Sequence, residues 1–263
     1  MPGPIRSWVA VKHGVDVVLA RAERATGNVA MDRAPRKTSD FDRNAVEEAV
    51  RIREKFGGKV TALTVGPPTA KEALRDALAI GADDAVLISD PARPELDGRG
   101  VAQALAAYGR KHPEFDLWFF GEGSTDHFTG TIGPRVAAAL GAPSLSYGRR
   151  VTVDDGAVVV DREYERELER VRAAFPAIVT VGQEINQPRV PTFMSTLKAS
   201  KKEIRAVGPA DLGVDGAEWA PTTRRERVFV PEVARKRQAL AGADVAASAR
   251  MLLEALRAEG VLP

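Results

Sequence analysis

The chain has 263 residues and a nearly balanced charge, with 38 Lys and Arg against 36 Asp and Glu. This length can bury one large α/β core, and a net charge of +2 gives no global reason to expect a nucleic-acid partner. Cysteine is absent, which excludes disulfides, thiolate metal sites and a cysteine nucleophile, and three histidines leave little material for a metal site. No apolar run of membrane-spanning length occurs, so we expect a soluble, cytoplasmic protein without direct membrane insertion.

Short apolar strands alternate with amphipathic helices through the first half of the chain. The pattern predicts strands at 7–11, 60–65, 85–89 and 115–120, and helices at 44–56, 71–80, 98–108 and 135–140. A weaker extended pair is predicted at 16–20 and 28–31, around a Thr26–Gly27 turn. Continuous apolar strands alternating with helices predict an α/β fold with a doubly wound, mostly parallel, Rossmann-like sheet.

The second half has a different pattern. Strands are predicted at 147–154, 157–165 and 166–173, followed by a strongly apolar strand at 176–181. Between residues 211 and 231 no helical or strand period is visible, yet spaced apolar residues such as Leu212 and Trp219 occur there. This spacing indicates an arm that lies on another subunit, with an arm packed on its own domain as the alternative. A final helix is predicted at 243–259.

The stretch from Leu117 to Pro134 joins a short apolar run, a Gly- and Thr-rich loop and a helix-like segment. It reads LWFFGEGSTDHFTGTIGP. Glycines let the backbone approach a ligand closely, and the free N–H groups at a helix start favour phosphate. Pro134 fits the first helical position, because that N–H has no helical partner. The pattern indicates an anion site, although a plain strand–helix connection capped by Asp126 or Thr129 would also produce it.

The predicted topology brings four separate segments together. In a doubly wound sheet, ligands bind outside the carboxyl ends of the strands, at a switch point. Residues Ala10–Lys12, Thr64–Gly66 and Gly121–Gly133 follow predicted strands and should therefore be neighbours. Ser39–Asp42, which precede the first long helix, can join them. This convergence predicts a nucleotide site.

Several phrases, in order and at compatible spacing, resemble the beta subunit of electron-transfer flavoproteins, the FixA-like family. The likeness runs nearly end to end, which is far more specific than a single Gly-rich loop. The phrases are VAVK at 9–12, DRNAVEEAV at 42–50, LTVGP at 63–67, ALAIGADDAVLI at 77–88, GEGSTDHFTGTIGP at 121–134, PAIVTV at 176–181, INQPRVPTF at 185–193, LKASKK at 197–202 and DLGV at 211–214.

The resemblance implies a heterodimer of alpha and beta subunits that relays electrons between flavin dehydrogenases, such as acyl-CoA dehydrogenases, and a quinone oxidoreductase or another acceptor. The FAD that exchanges those electrons would be held mainly by the alpha subunit and contacted by this chain. This chain would itself hold a second nucleotide. In some members that nucleotide is a structural AMP; in members that bifurcate the electrons of NADH it is a second FAD. No catalytic residue and no metal ligand is expected here, since the flavin supplies the chemistry.

The family's nucleotide site maps onto the four segments that the topology brings together. By this resemblance the N–H groups of residues 129–133 would hold phosphate, Ala10 and Val65 would border the adenine, and Asp126 would orient the loop or a ribose hydroxyl. The predicted cofactor-binding residues are Ala10, Val11, Lys12, Ser39, Asp40, Phe41, Asp42, Val65, Gly66, Gly121, Gly123, Ser124, Thr125, Asp126, Thr129, Gly130, Thr131, Ile132 and Gly133.

The loop sequence separates the two nucleotide types. AMP-type members read D-D-D-x-N-Q-T-G-Q here, whereas bifurcating and FixA-like members read D-G-D-T-A-Q-V-G-P. This chain reads DHFTGTIGP at 126–134. It keeps the length, the Asp, the Thr and the final Gly-Pro of the second pattern, and it departs at His127, Phe128 and Thr131. The resemblance therefore favours FAD over AMP as the second nucleotide.

Residues 191–200 match the loop through which family members dock partner dehydrogenases. Phe193 occupies the place of the exposed apolar anchor, and the nearby lysines would steer acidic partners. The chain then divides into a nucleotide-binding α/β domain at 1–187, a partner-recognition region at 188–205, and a C-terminal arm and helix at 206–263 that pack on the alpha subunit. The predicted partner-recognition residues are Phe193, Met194, Lys198, Lys201 and Lys202.

Two other functions remain as alternatives. One is an adenine-nucleotide-binding protein without electron transfer, either an ATP- or AMP-binding module of the universal-stress class or an ATP-using enzyme of the same broad α/β class. Adenylate-forming relatives of that class would carry an S-G-G-x-D-S-like loop after the first strand, where this chain has KHGVD at 12–16. The other is an interaction subunit with an empty pocket, against which the Gly- and Thr-rich loop argues.

Overall fold

A large central sheet organises the molecule. The computed structural model describes residues 3–31, 33–93, 95–165, 167–231 and 235–262. Within them, the strands are β1 (Ile5–Ala10), β2 (His13–Val15), β3 (Arg36–Thr38), β4 (Gly58–Val65), β5 (Asp84–Ile88), β6 (Leu117–Gly121), β7 (Ser144–Asp154), β8 (Ala157–Tyr164), β9 (Glu167–Ala174), β10 (Ala177–Val181) and β11 (Arg205–Val207). The helices are α1 (Asp40–Phe56), α2 (Lys71–Ile80), α3 (Gly98–Lys111), α4 (Ile132–Leu140), α5 (Phe193–Lys201), α6 (Pro209–Leu212) and α7 (Val245–Ala258).

The sheet has the strand order β11-β5-β4-β1-β6-β10-β7-β8-β9, and β2 and β3 form a separate antiparallel hairpin. Neighbours from β11 to β7 pair in parallel, whereas β7, β8 and β9 form an antiparallel extension. β1 pairs with β4 on one side and with β6 on the other. The winding direction therefore reverses at β1, which opens a crevice at the carboxyl ends of β1 and β6.

Helices cover both faces of the parallel part, as its continuous apolar strands require. On one face, Val9 and Phe119 belong to an apolar cluster that includes Val50 of α1. On the other face, Trp8 packs with Trp118, with ring centroids 5.0 Å apart, under α3 and α4. Successive strand residues point to opposite faces, so Trp8 and Val9 place one side chain in each core layer.

Helix α1 follows the crevice and has a charge pattern suited to its ends. Asp40 and Asp42 occupy its first turn, and Arg53 and Lys55 its last turn, which complements the helix dipole. Gly57, with φ 76°, ends the helix in a backbone conformation that residues with a side chain rarely adopt. This helix therefore presents its positive end to the crevice.

The predicted α/β fold with a doubly wound, mostly parallel sheet is confirmed. Several boundaries need correction. α1 begins at Asp40 instead of at residue 44, so Asp40 and Asp42 lie inside the helix rather than before it. α4 begins at Ile132, which puts Pro134 third in the helix, still within the turn whose N–H groups lack partners. The predicted strand at 166–173 corresponds to β9, which begins at Glu167. The first residue of that prediction, Arg166, lies outside the described residues.

Two predicted segments are wrong. Residues 16–20 form turns, and residues 28–31 make only isolated bridges, among them Ala22 with Val29, so the two do not pair as strands. Residues 191–200, predicted as a loop, are mostly helix α5. The Thr192 hydroxyl accepts the Ser195 N–H at 3.1 Å and so caps the start of this helix. The prolines that precede Thr192 in the sequence favour a loop instead.

The C-terminal arm is buried at its beginning and exposed beyond it. Leu212 and Trp219 were expected to lack local burial, yet both are buried against the α3 face, and Trp219 is only 1% exposed. Two short turns, α6 and the 3₁₀ helix Gly216–Trp219, bring them there. Further along the described arm, Phe229 and Val230 are exposed, and α7 buries none of its residues.

Candidate nucleotide-binding site

The loop between β6 and α4 presents a row of unpaired backbone donors. In the described part of the chain, the N–H groups of residues 129–133 have no hydrogen-bond acceptor. Those of Ile132 and Gly133 belong to the first turn of α4, where no intrahelical acceptor exists and the dipole is positive. Gly130 turns the chain with φ 64°. The loop is therefore a cradle that suits an anion such as phosphate.

Asp126 fastens this cradle to the end of β1. Its Oδ1 accepts from Lys12 Nζ and from Ser124 Oγ, each at 2.7 Å, and its Oδ2 accepts from the Val15 N–H at 3.2 Å. Burial disfavours the charged carboxylate, but hydrogen bonds from His127, Lys12 and Ser124 outweigh it and hold the pKa of Asp126 well below its usual range. Asp126 thus ties the loop to Lys12 and to β2.

Asp42 joins the ends of β1 and β6 to the start of α1. Its Oδ2 accepts the Lys12 N–H at 2.8 Å, and the Gly121 N–H also donates to the carboxyl group. Burial raises the pKa of Asp42 to about 7, although these hydrogen bonds and the Lys12 charge act against it. A Cβ on Gly121 would collide with Asp42 Oδ1 and with Phe41. Glycine is therefore the residue that lets β6 end against α1.

Two buried hydroxyls near the cradle have no partner among the described residues. They are Oγ of Ser39, the N-cap of α1, and Oγ1 of Thr125 in the loop. Buried polar atoms are normally paired, because an unpaired one costs about 1–3 kcal/mol. These hydroxyls and the unpaired N–H groups fit AMP or the adenylate half of FAD, whose phosphate and ribose oxygens need donors.

The remaining predicted binding residues have varied surroundings. Val11 is buried in the core, so its backbone alone borders the crevice. Asp40 forms an ion pair with Lys37 at 2.8 Å, and Thr131 Oγ1 donates to Thr129 Oγ1 at 3.3 Å. The half-buried residues at the carboxyl ends of β1 and β4 are Ala10, Val65 and Gly66.

Sequence reasoning missed the contribution of β2. Gly14 lies against Asp126, and a Cβ there would come within 3.0 Å of Oδ2. Val15 supplies the N–H that the same carboxylate accepts. A three-residue strand carries too little periodicity to be recognised, so no local signal in the sequence marked this hairpin.

His127 and Phe128, noted only as departures from the family pattern, also take part in the site. His127 Nδ1 lies 3.0 Å from Lys12 Nζ. The Phe128 ring packs edge-to-face on Phe41, with centroids 5.3 Å apart. Both contacts join the loop to segments more than 80 residues earlier in the chain, which explains why local patterns did not reveal them.

A second exposed surface lies on α5. Phe193 is 81% exposed and Val190 is 87% exposed, and Met194 and Leu197 are exposed beside them. The spacing of Phe193, Met194 and Leu197 places them on one side of the helix. Val190 lies in the segment that leads into the helix. We call Val190, Phe193, Met194 and Leu197 the recognition surface. Lys198 and Lys201 are exposed on the same helix.

Lys202, predicted as a partner-recognition residue, also makes contacts within its own chain. Its Nζ donates to the carbonyl oxygens of Ala82, at 3.0 Å, and Asp83, at 2.9 Å. Arg75 Nη1 donates in the same region to the carbonyl oxygen of Ala199, at 2.6 Å. Lys202 therefore fastens the end of α5 to the end of α2, while the residue stays exposed.

Arg189 fastens the entry of α5 to α1. Its Nε donates to Glu47 Oε2 at 2.8 Å and its Nη1 to Glu54 Oε1 at 2.7 Å. Burial acts to raise the pKa of Glu47, but hydrogen bonds from Arg189 and Arg51 lower it. Asn44 adds a bond from Nδ2 to the carbonyl oxygen of Asn186 at 2.7 Å. Thus α1 contacts the loop between β6 and α4 at its start and holds the entry of α5 along its length.

The described residues lack two further kinds of feature. No group of three or more His, Asp or Glu side chains among them is arranged to hold a metal ion. None of their helices is both long and apolar enough to cross a bilayer.

Comparison with known proteins decides the family. The family model described as "Electron transfer flavoprotein domain" matches residues 26–212. The electron transfer flavoprotein subunit beta of Thermoanaerobacterium thermosaccharolyticum is 36% identical over 219 residues, covering 81% of this chain and 84% of the relative. The chain belongs to the electron transfer flavoprotein beta-subunit family.

Other relatives of this flavoprotein family agree over most of the chain. The electron transfer flavoprotein subunit beta of Bacillus subtilis is 33% identical over 235 residues, covering 89% of this chain and 91% of the relative. Protein FixA of Azotobacter vinelandii is 32% identical over 247 residues, covering 90% of this chain and 88% of the relative. The matched range 26–212 contains the cradle and the recognition surface, so both lie within the electron transfer flavoprotein domain.

Proposed function

We propose that this chain is the beta subunit of a heterodimeric electron transfer flavoprotein that relays electrons between flavin dehydrogenases and a quinone reductase or another acceptor. Family membership supports this function. The observation that carries it is the cradle at residues 129–133, which sits at the switch point of the sheet and offers unpaired donors to a nucleotide. Bound flavin would supply the redox chemistry, and this chain would supply binding and orientation.

The nucleotide that we propose for this chain is FAD, with AMP as the alternative. The loop sequence at 126–134 has the length and the Gly-Pro ending typical of the bifurcating type. The N–H groups of the cradle would hold phosphate, and the hydroxyls of Ser39 and Thr125 would pair with sugar or phosphate oxygens. Electron bifurcation from NADH belongs to this proposal only if FAD occupies the site.

The recognition surface would dock partner dehydrogenases. Exposed aromatic and aliphatic side chains on a firmly held helix make an anchor that loses little conformational entropy on binding. Lys198 and Lys201 would favour acidic partners and increase the association rate at low salt. The clamps at Arg189 and Lys202 keep the helix in place for this purpose.

The C-terminal arm would pack on the alpha subunit. Within α7, Val245 is 88% exposed, and Met251, Leu252 and Leu253 are exposed as well. An amphipathic helix with no buried residue gains little from its own domain. Burial against a second subunit would stabilise both the helix and the arm that leads to it.

Reconstitution tests the proposed relay. The full chain is co-expressed with an electron transfer flavoprotein alpha subunit, and electron transfer from a reduced flavin dehydrogenase to a quinone analogue is measured with the purified complex. We expect relay by the heterodimer and none by either subunit alone. A stable heterodimer that contains no flavin, or that contains flavin and relays no electrons, would contradict the proposal.

A further inference from the structure

Phe128 occupies a conformation that needs an explanation. Its φ is 46°, in the left-handed region, and its side chain is 60% exposed. A bulky residue other than glycine is uncommon there, and such outliers persist where the surrounding structure holds them, often at ligand sites. The Phe128 N–H donates to the carbonyl oxygen of Ser124 at 2.9 Å, which fixes the turn. The fold therefore holds a large ring in the open.

The ring is supported from behind. Phe41, in the first turn of α1, contacts it edge-to-face at 5.3 Å between centroids and an interplanar angle of 61°. Gly123 lies beneath it, and a Cβ there would come within 2.8 Å of Phe128 Cδ2. The side chain is thus fixed by close contacts while more than half of its surface stays accessible.

The cradle begins at the residue that follows Phe128, and the unpaired hydroxyl of Ser39 lies two positions before Phe41. Aromatic faces are suited to planar bases and flavin rings, because base–aromatic stacking tolerates any ring with a π face. We propose that Phe128 and Phe41 form a platform on which the planar heteroaromatic ring of the bound nucleotide packs. This rests on the proposed nucleotide site and adds the ring subsite to it.

Two rings share this chemistry, adenine and isoalloxazine, and ligands that contain them separately can distinguish them. Binding of AMP, FMN, FAD and ring-free pyrophosphate to the full-length chain is measured by calorimetry. Phe128→Gly removes the ring and relieves the left-handed backbone, so we expect an affinity loss of about fivefold or more for the ligands whose ring uses the platform. Pyrophosphate should bind equally well to both proteins. A loss for AMP assigns adenine to the platform, and a loss for FMN assigns isoalloxazine.

Three further variants test the cause. Phe128→Tyr should retain the affinity, Phe128→Leu should lose it, and Tyr164→Leu, an exposed aromatic on β8, should leave it unchanged. If Phe128→Gly loses affinity for pyrophosphate as much as for the nucleotides, or keeps full affinity for the nucleotides, the platform is wrong. Phe128 would then shape the loop, in the first case, or contact a protein partner, in the second. Nucleotide binding would survive in the second of these results, so the proposed function would stand. If the wild-type chain binds none of the nucleotides, the proposed site itself is wrong.

Discussion

Asp42 places an ionisable group in the interior, at the joint between β1, β6 and α1. Its carboxyl group accepts the Lys12 N–H, and burial raises its pKa to about 7. In the unfolded chain the pKa returns to about 3.8. The folded state then binds more protons between these values, so this residue's contribution to stability is greatest below about pH 4 and is lost as the pH rises through about 7.

This titration predicts the behaviour of Asp42→Asn. The amide retains an acceptor oxygen for Lys12 but cannot ionise, so the variant should gain stability relative to wild type as the pH rises from about 4 to about 7. Urea unfolding at several pH values measures the difference. The surface variant Asp161→Asn serves as a control, and it should show no such trend with pH over this range. A constant difference between Asp42→Asn and wild type would mean that the carboxyl group is ionised throughout.

The beginning of the C-terminal arm forms part of the domain core. Trp219 is 1% exposed, and Asp97, the N-cap of α3, accepts hydrogen bonds from the N–H groups of Thr222, at 2.7 Å, and Thr223, at 3.1 Å. Trp219→Ala should therefore destabilise the chain by about 3–5 kcal/mol. Phe229→Ala, at a half-exposed aromatic further along the same arm, should change the free energy of unfolding by less than about 1 kcal/mol. Similar urea midpoints for the two variants would contradict the packing of Trp219.

The Arg189 contacts beneath α5 and the exposed Phe193 on α5 should have separable effects on stability and on partner docking. Arg189→Ala leaves the buried Glu47 with Arg51 and the backbone N–H of residue 189 as partners, and because Arg189 is itself partly exposed we expect a loss of about 1–2 kcal/mol in stability. Phe193→Ala removes an exposed ring and should leave stability unchanged.

Both changes should weaken docking of a partner dehydrogenase, measured as electron-transfer rate against partner concentration, with Leu168→Ala on β9 as an exposed apolar control. If Phe193→Ala lowers stability as much as Arg189→Ala does, the ring packs on its own chain and is no anchor.

The sequence predicts the elements whose periodicity is long enough to detect. The apolar runs of β4 and β6 and the helical spacing of α1 and α2 were sufficient for the doubly wound sheet. β2, β3 and β11 have three residues each, too few for a period. The sequence does not predict α5 as a helix because its apolar residues face outward and two prolines precede it.

The site was predictable as a set of segments but not as a set of contacts. Parallel strands place their carboxyl ends at one edge of the sheet, so the sequence predicts that residues 10–12, 39–42 and 121–133 are neighbours. The bond from Lys12 to Asp126 spans 114 residues, and no local pattern encodes it. The engagement of Lys202 with carbonyl groups is likewise visible only once α2 and α5 are packed. Composition cannot distinguish a free lysine from one that is already paired.

The exposed end of the C-terminal arm predicts a change in protease sensitivity when a partner subunit binds. Residues 223–231 and 235–262 are mostly exposed, and they include the apolar side chains of α7. Limited proteolysis should cut this region in the isolated chain and much more slowly in the complex with an alpha subunit, because burial suppresses local opening. Cleavage at the Asp155–Gly156 turn between β7 and β8 should be the same in both samples. An arm that is equally resistant in the isolated chain would mean that it needs no partner.

The fold and its cradle predict that this chain binds a nucleotide of its own within a flavoprotein heterodimer. The most direct measurement is a count of FAD and AMP released on denaturing the complex of this chain with an electron transfer flavoprotein alpha subunit. We expect two FAD and no AMP per heterodimer, which would make NADH oxidation the next assay. One FAD and one AMP would keep the carrier function and exclude bifurcation. One FAD with no second nucleotide would contradict nucleotide binding at the cradle. No flavin at all would contradict the electron-transfer function.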